Sequence, residues 1–162
     1  MIILGIDPGS CLTGFGIVES ISGQYKHRAH GTIKPKTKAF NDRVYHICNE
    51  LSKIIQQYNI DAVAIEQTFV NKNAQTSLKL GQVRGAIILQ VMQHGLDAFE
   101  YTPRSVKSTV TGYGAADKRQ IMDMITMRLR VPAKDLTSDS ADALAIAICH
   151  LQNTSLITNG VL

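Results

Sequence analysis

Most of the features that would take this chain out of the soluble globular class are missing from it. No apolar run approaches the ~20 residues of a membrane span, so no membrane segment is expected. The opening MIILGID has neither a basic n-region nor a small-residue cleavage site, which argues against a secretory signal and for the cytoplasm. Cysteine is scarce. Cys11, Cys48 and Cys149 are widely separated and odd in number, and no CxxC occurs, which excludes a disulfide framework and a structural zinc site. The three are expected as small core residues. Repeats, linkers and low-complexity stretches are absent. No Ser–His or Cys–His pairing suggests nucleophilic catalysis. Acids are missing altogether from Gln67 to Leu96.

What is present fits one α/β domain. The 162 residues are 44% hydrophobic and 19% charged, enough for a real core. The domain is expected over 1–153, with 154–162 as a flexible tail. The net charge of +4 is mild, but its distribution is not even. The acid-free stretch carries Lys72, Lys79 and Arg84, and from Thr102 to Asp135 seven bases, Arg104 and Lys107 among them, face three acids. Any one of these lysines could simply be solvated. Two clustered basic segments point to a polyanionic partner.

Three strands are expected first: MIILGID, TGFGIVES (13–20) and QYKHRAHGTIK (24–34), joined as a meander with a turn at Ser22-Gly23. Gly14 and Gly16 keep one side of the second strand small. A helix follows, capped by Asn41 or Asp42, with Val44, Ile47, Leu51, Ile54, Ile55 and Tyr58 at helical spacing. AVAIE (62–66) is a short strand, about 73–94 a long helix with Leu78, Gly81, Gly85, Ile88 and Met92 along one side, and DAFEYT (97–102) a fifth strand. Helices PRSVKSTV, RQIMDMITMRL and DSADALAIAICHLQ complete the chain, the first opened by Pro103 and the last closed by His150. This order implies a mixed five-stranded sheet with helices on both faces, the order expected of a ribonuclease H-like fold.

Four carboxylates fall at telling places on that scheme. In GIDPGS, Asp7 stands where the first strand ends, and Glu66 ends the fourth strand. Ligand sites in open sheets gather beyond the carboxyl ends of strands. Asp139 and Asp142, in DSAD, are three apart and share a helix face. The alanines of the same helix (Ala143, Ala145, Ala147) would let it approach the sheet closely. Taken singly, Asp7 could cap its turn, Glu66 could flank a loop, and Asp139 or Ser138 could cap its helix. Together they would repel one another and raise each other's pKa unless a cation intervened. Hard oxygen ligands suit Mg²⁺ or Mn²⁺, and two such ions about 4 Å apart can hydrolyse a phosphodiester.

The motifs GIDPGSxxTGxG, AIEQxFxxKNAxxxLKLGQxRG, EYTPxxVKxxVTGxGxAxKxQ and DxADALAIAICH resemble the Holliday junction resolvase family RuvC, from the first strand to about Gln152. The resemblance implies a divalent-metal endonuclease of ribonuclease H-like fold. Such enzymes work as homodimers that nick four-way DNA junctions symmetrically, alongside the branch-migration proteins RuvA and RuvB. Carried over by position, Asp7, Glu66, Asp139 and Asp142 are the metal-binding acids. Lys107 and Lys118 are the bases near the scissile phosphate, and Phe69 is an aromatic that meets unpaired bases. Lys72, Lys79, Arg84 and Arg104 are further candidate DNA contacts. Ser140 departs from the pattern, where alanine or histidine would be expected.

Three other readings compete. DPGSCLTG also resembles the first phosphate loop of actin-like ATPases and sugar kinases, but those enzymes close two related domains around a nucleotide and 162 residues supply one. A non-catalytic junction-binding module would not need the four acids. A ribonuclease H-like nuclease acting on RNA or on ordinary duplex would keep them.

Overall fold

The computed structural model describes residues 1–67 and 73–158, the last four of these as backbone alone. In chain order the elements are β1 (Ile2–Asp7), β2 (Thr13–Ile21), β3 (Gln24–Ile33), α1 (Phe40–Tyr58), β4 (Ala62–Glu66), α2 (Ala74–Gln93), β5 (Ala98–Tyr101), α3 (Pro103–Thr111), α4 (Lys118–Leu129), a 3₁₀ turn (Ala133–Asp135) and α5 (Ser138–Thr158). The strands lie in the order β3-β2-β1-β4-β5. β2 is antiparallel to both β1 and β3, whereas β4 runs parallel to β1 and β5 parallel to β4. This is the mixed sheet expected from the sequence. The β2–β3 turn has both central residues at positive φ, Ser22 at 49° and Gly23 at 79°, a backbone twist that matches that of the flanking strands.

Strand alternation sorts the core into two layers. Leu4, Ile6, Ile17, Val63 and Ile65 face α1 and α2, where they meet Ile47, Leu51, Val83 and Ile87. Ile3, Val18, Ala62 and Ala64 face the other way, onto α3, α4 and α5. Asp7, Gly5 and Glu66 share the parity of this second set, so both strand-end acids point toward α5.

Glycine lets α5 lie directly on the strands. Gly5 and Gly16 are paired across β1 and β2, as are Asp7 and Gly14. A Cβ on Gly5 would sit 2.0 Å from the Ala143 carbonyl oxygen and 2.8 Å from the Ala147 nitrogen. One on Gly14 would meet the Asp139 carbonyl oxygen at 2.2 Å, and one on Gly16 the Leu144 nitrogen at 2.6 Å. The helix supplies the matching surface, with Ala143, Ala145 and Ala147 fully buried.

Several local expectations are corrected. Helix α1 starts at Phe40 with Ala39 as its N-cap and no side-chain cap, and Asp42 lies in the first turn rather than capping it. Cys11 is exposed, not in the core, and accepts an N–H from Arg43 at 3.2 Å. His150 does not close α5, which runs on as far as Thr158. It is buried inside the helix, its Nδ1 2.9 Å from the Tyr101 hydroxyl and its ring 4.5 Å from that of Phe99.

The glycine contact yields a stability prediction. Gly5→Ala forces a methyl group into the α5 backbone and should cost about 1–3 kcal/mol. Thermal unfolding followed by circular dichroism should show Tm lowered by about 2–12 °C. An unchanged Tm would mean that α5 does not rest on Gly5.

Candidate active site

The four acids meet at one end of the sheet. Asp7 ends β1 and Glu66 ends the neighbouring parallel strand β4, while Asp139 and Asp142 occupy the first turns of α5 above them. All four side chains are partly accessible. Asp7 is not consumed by its turn. Thr13 closes that turn instead, its Oγ1 donating to the Gly9 carbonyl at 2.8 Å and accepting from the Gly9 N–H at 3.3 Å.

The N-terminus of α5 is capped without either acid. The Ser140 N–H donates to Thr137 Oγ1 at 3.2 Å, and the Thr137 N–H donates to Ser140 Oγ at 3.0 Å. This reciprocal cap satisfies the Thr137 and Ser140 N–H groups without a carboxylate. Ser140, the departure from the expected pattern, is fully buried and is the far half of that cap. The spacing TxxS in TSDS carried this signal, and the sequence reading missed it by considering only Ser138 and Asp139.

Electrostatics tie the carboxylates together. Burial raises the pKa of Asp7 to about 7, helped by the charges of Glu66, Asp142 and Asp139 and opposed by Lys118. Burial and then Asp142 raise Glu66 to about 7 as well, with Lys107 and Lys118 acting against the shift. Asp142 moves upward too, through burial first, then Asp139, with Lys118 and Lys107 opposing. The two lysines are therefore the cations nearest the cluster in effect. Lys118, the first residue of α4, places Nζ 3.7 Å from Asp142 Oδ2 and donates to Ser138 Oγ at 3.1 Å. Its side chain is 75% exposed, so the ion pair itself contributes little stability and leaves the ammonium able to move. Lys107 lies on α3, whose C-terminal Gly112 (φ 79°) starts the loop to Asp117. There Asp117 caps α4 and Gln120 completes a capping box, which fixes where Lys118 begins.

The donor set is all oxygen, suited to a hard dication. Among the described residues, however, no three His, Cys, Asp or Glu side chains close around a single point.

The remaining candidates divide. Arg104 is exposed on α3, its Cγ packed where a side chain on Gly114 would stand. Lys79 is half-buried on α2. Arg84 is engaged by Glu100 of β5 through two hydrogen bonds, Nη2 to Oε2 at 2.7 Å and Nε to Oε1, which ties α2 to the sheet edge. Phe69 and Lys72 lie outside the described residues. A cavity of about 980 Å³ lies away from the acids, beside β3 and the end of α4. No helix among the described residues is long and apolar enough to cross a membrane.

The raised carboxyls fix a pH dependence. Between the ordinary carboxylate range and about pH 7 the folded, metal-free chain binds more protons than the unfolded one, so its stability falls as pH rises through that window. In chelator, Tm should fall between about pH 5 and pH 8. Asp7→Asn, which keeps the volume and removes the charge, should flatten that fall. An identical pH slope in the variant would take Asp7 out of the cluster.

Comparison with known proteins agrees with this geometry. The family model for "Crossover junction endodeoxyribonuclease RuvC" matches residues 3–150. A protein of that name from Haemophilus ducreyi is 48% identical over 149 residues, covering 92% of this chain and 77% of that protein. Another, from Caldicellulosiruptor saccharolyticus, is 43% identical and covers 97% of this chain and 96% of its own. Among solved structures, Thermus thermophilus RuvC in complex with a Holliday junction substrate superposes with a TM-score of 0.90 at 27% identity, covering 98% of this chain and 97% of that one. The sheet order, the strand-end acids and the match from residue 3 to 150 make this chain a member of the RuvC family of crossover junction endodeoxyribonucleases.

Proposed function

We propose that the chain is a homodimeric, divalent-cation-dependent endonuclease that resolves four-way DNA junctions by symmetric nicking. The observation that carries this reading is the convergence of Asp7, Glu66, Asp139 and Asp142 on one end of the sheet, with Lys107 and Lys118 beside them. Four coupled acids, two of them raised to about 7, call for a compensating charge. Their hard oxygen donors fit Mg²⁺ or Mn²⁺, with Asp7, Glu66, Asp139 and Asp142 as the residues that would hold two ions. Bound there, the ions would supply an activated water and a counter-charge for the leaving oxygen. The protein's own contribution is to set the acids at fixed strand ends and a rigid helix start, and to bring two ammonium groups to where charge grows on the phosphate. Lys79 and Arg104 add candidate phosphate contacts, and Phe69, in the acid-free segment, is the candidate for stacking on an exposed base. RuvA and RuvB are the partners this reading brings with it, and the cytoplasm is its compartment.

Symmetry supports a dimer. A junction has two strands to cut and one chain carries acids for one site, so closed twofold pairing matches the substrate. Helix α2 has a surface for it. Val83, Ile87 and Val91 face the core, whereas Leu78 is 64% and Met92 63% exposed. Between them Gly81 and Gly85 face open space, which would admit a partner backbone.

Two experiments test this. Asp7→Asn should abolish cleavage of a labelled four-way junction in Mg²⁺ while binding is kept or improves, because the phosphate contacts come from Lys and Arg. Linear duplex and RNA–DNA hybrid, run beside it with wild-type protein, should not be cut. A variant that cuts at near wild-type rate removes Asp7 from the chemistry, and cleavage of plain duplex or hybrid overturns the junction assignment. Gly85→Leu should shift the protein toward monomer in analytical ultracentrifugation and uncouple the paired incisions. A folded, fully dimeric Gly85→Leu protein that cuts both strands normally would move the interface off α2.

A further inference from the structure

The cavity beside β3 lies far from the acids. Gly14, next to Asp7, and Ile21, on the cavity wall, are seven residues apart on β2, or about 24 Å along an extended strand. Helix α4 gives a second ruler. Lys118 stands at the acid cluster and Arg128 on the cavity wall, ten residues on, or about 15 Å of helix. The cavity therefore opens at the opposite end of the sheet from the nuclease site.

Its walls are held by hydrogen bonds. The β2–β3 register slips between Ile17 and Val18, so that the backbone of Arg28 is skipped in the pairing with β2. That bulge turns His27 and His30 to one face, where His27 Nε2 and His30 Nδ1 are 2.8 Å apart. His30 Nε2 reaches the Asp135 carbonyl oxygen at 2.9 Å, tying β3 to the 3₁₀ turn. With the Gln152 amide oriented to donate to the Thr109 carbonyl, its oxygen accepts from Arg128 at 3.2 Å and steadies that wall.

The lining is cationic with an apolar part. Lys26, Arg128 and Arg130 face the cavity against a single carboxylate, Asp135. Among the described residues neither Lys26 nor Arg130 is in an ion pair. The C-terminal dipole of α4 opposes an anion by roughly half a charge, which three cations exceed. Burial and the neighbouring His30 lower the His27 pKa, so the charge comes from Lys and Arg. Ile21, 49% exposed, and Tyr25 line the same space, and among the described residues no strand pairs with the outer side of β3.

We propose that this groove docks an extended acidic peptide segment of a partner protein, laid along β3 with carboxylates on Lys26, Arg128 and Arg130 and apolar side chains on Ile21 and Tyr25. A free strand edge binds extended peptide through its main chain, and alternate side chains then meet alternate surfaces. A duplex backbone would leave the apolar wall of Ile21 and Tyr25 unmatched. Opposite charge sets the on-rate and orientation of the segment.

The test uses fluorescein-labelled decapeptides in which glutamate alternates with valine, leucine or tyrosine, with a lysine–valine decapeptide and a ten-nucleotide oligo-dT as comparisons, at about 50 mM salt. Anisotropy should show saturable binding of at least one acidic peptide and none of the lysine peptide. Lys26→Glu combined with Arg130→Glu should weaken it by about tenfold or more while junction cleavage stays at the wild-type rate. Arg130→Gly, which suits the left-handed backbone there (φ 55°), should give a smaller loss in a protein of unchanged fold. The proposal is overturned if no acidic peptide saturates below about 1 mM, if the charge reversals leave peptide binding unchanged, or if oligo-dT binds more tightly and loses affinity through the same substitutions. The readout is peptide binding, so it stands or falls separately from the junction cleavage proposed above.

Discussion

Everything at the nuclease end depends on how closely α5 approaches the sheet. A helix on a sheet normally rests on a layer of side chains, which sets the two backbones apart. Here Gly5, Gly14 and Gly16 remove that layer from β1 and β2, and the alanines of α5 remove it from the other side. The gain is geometric. Asp139 and Asp142 are lowered into the space beyond the strand ends where Asp7 and Glu66 already stand. The same contact confines the glycines, since a single Cβ would overlap main-chain atoms that cannot move without displacing the helix. A carboxylate pair three residues apart is common on helices; it becomes part of a four-acid site only because the strands below it lack side chains.

Bringing four acids together works against the fold, and the structure shows how that opposition is arranged. Burial is the largest influence on Asp7, Glu66 and Asp142, larger than any one neighbouring charge. The site is thus half-desolvated before any partner arrives, a state in which a cation is attracted strongly and a proton is the alternative. Lys107 and Lys118 oppose the shifts without cancelling them. Both sit on helices whose starts are fixed by their own caps, Thr102 for α3 and Asp117 for α4, so the ammonium groups are placed by backbone that does not depend on the acids. The capping of α5 by Thr137 and Ser140 follows the same logic, because a capped helix start leaves its acidic side chains free for chemistry.

Much of this was legible in the sequence for identifiable reasons. Strand parity, the i,i+3 acids, the small residues on β2 and the alanines of α5 are all local patterns, and local patterns survive folding. What was not legible depended on pairing between distant segments. Asn41 and Asp42 look like caps in isolation, yet α1 starts one residue before the first of them because Phe40 packs against the core. Arg84 looks like a free base in an acid-free stretch, and only the sheet brings Glu100 to it. Cys11 resembles a core cysteine in composition but lies in the turn after Asp7, where Arg43 reaches it from α1. Phe69, read from motif position, and Lys72, read from the basic acid-free segment, lie outside the described residues, so the first reading rests on resemblance and the second on the charge of that segment.

The two ends of the molecule are joined by α4, and its sequence divides accordingly. Its N-terminal Lys118 serves the acids, and its C-terminal Arg128 faces the far groove, with Ile121, Ile125 and Leu129 buried between them. Basic residues at the two ends then stand in different surroundings despite looking alike in composition: near the acids Lys107 and Lys118 counter the carboxylate charges, and at the far end Lys26, Arg128 and Arg130 line a cavity with an apolar wall. Net charge alone, spread evenly over the surface, would have merged the two. The fold separates them by the length of one strand.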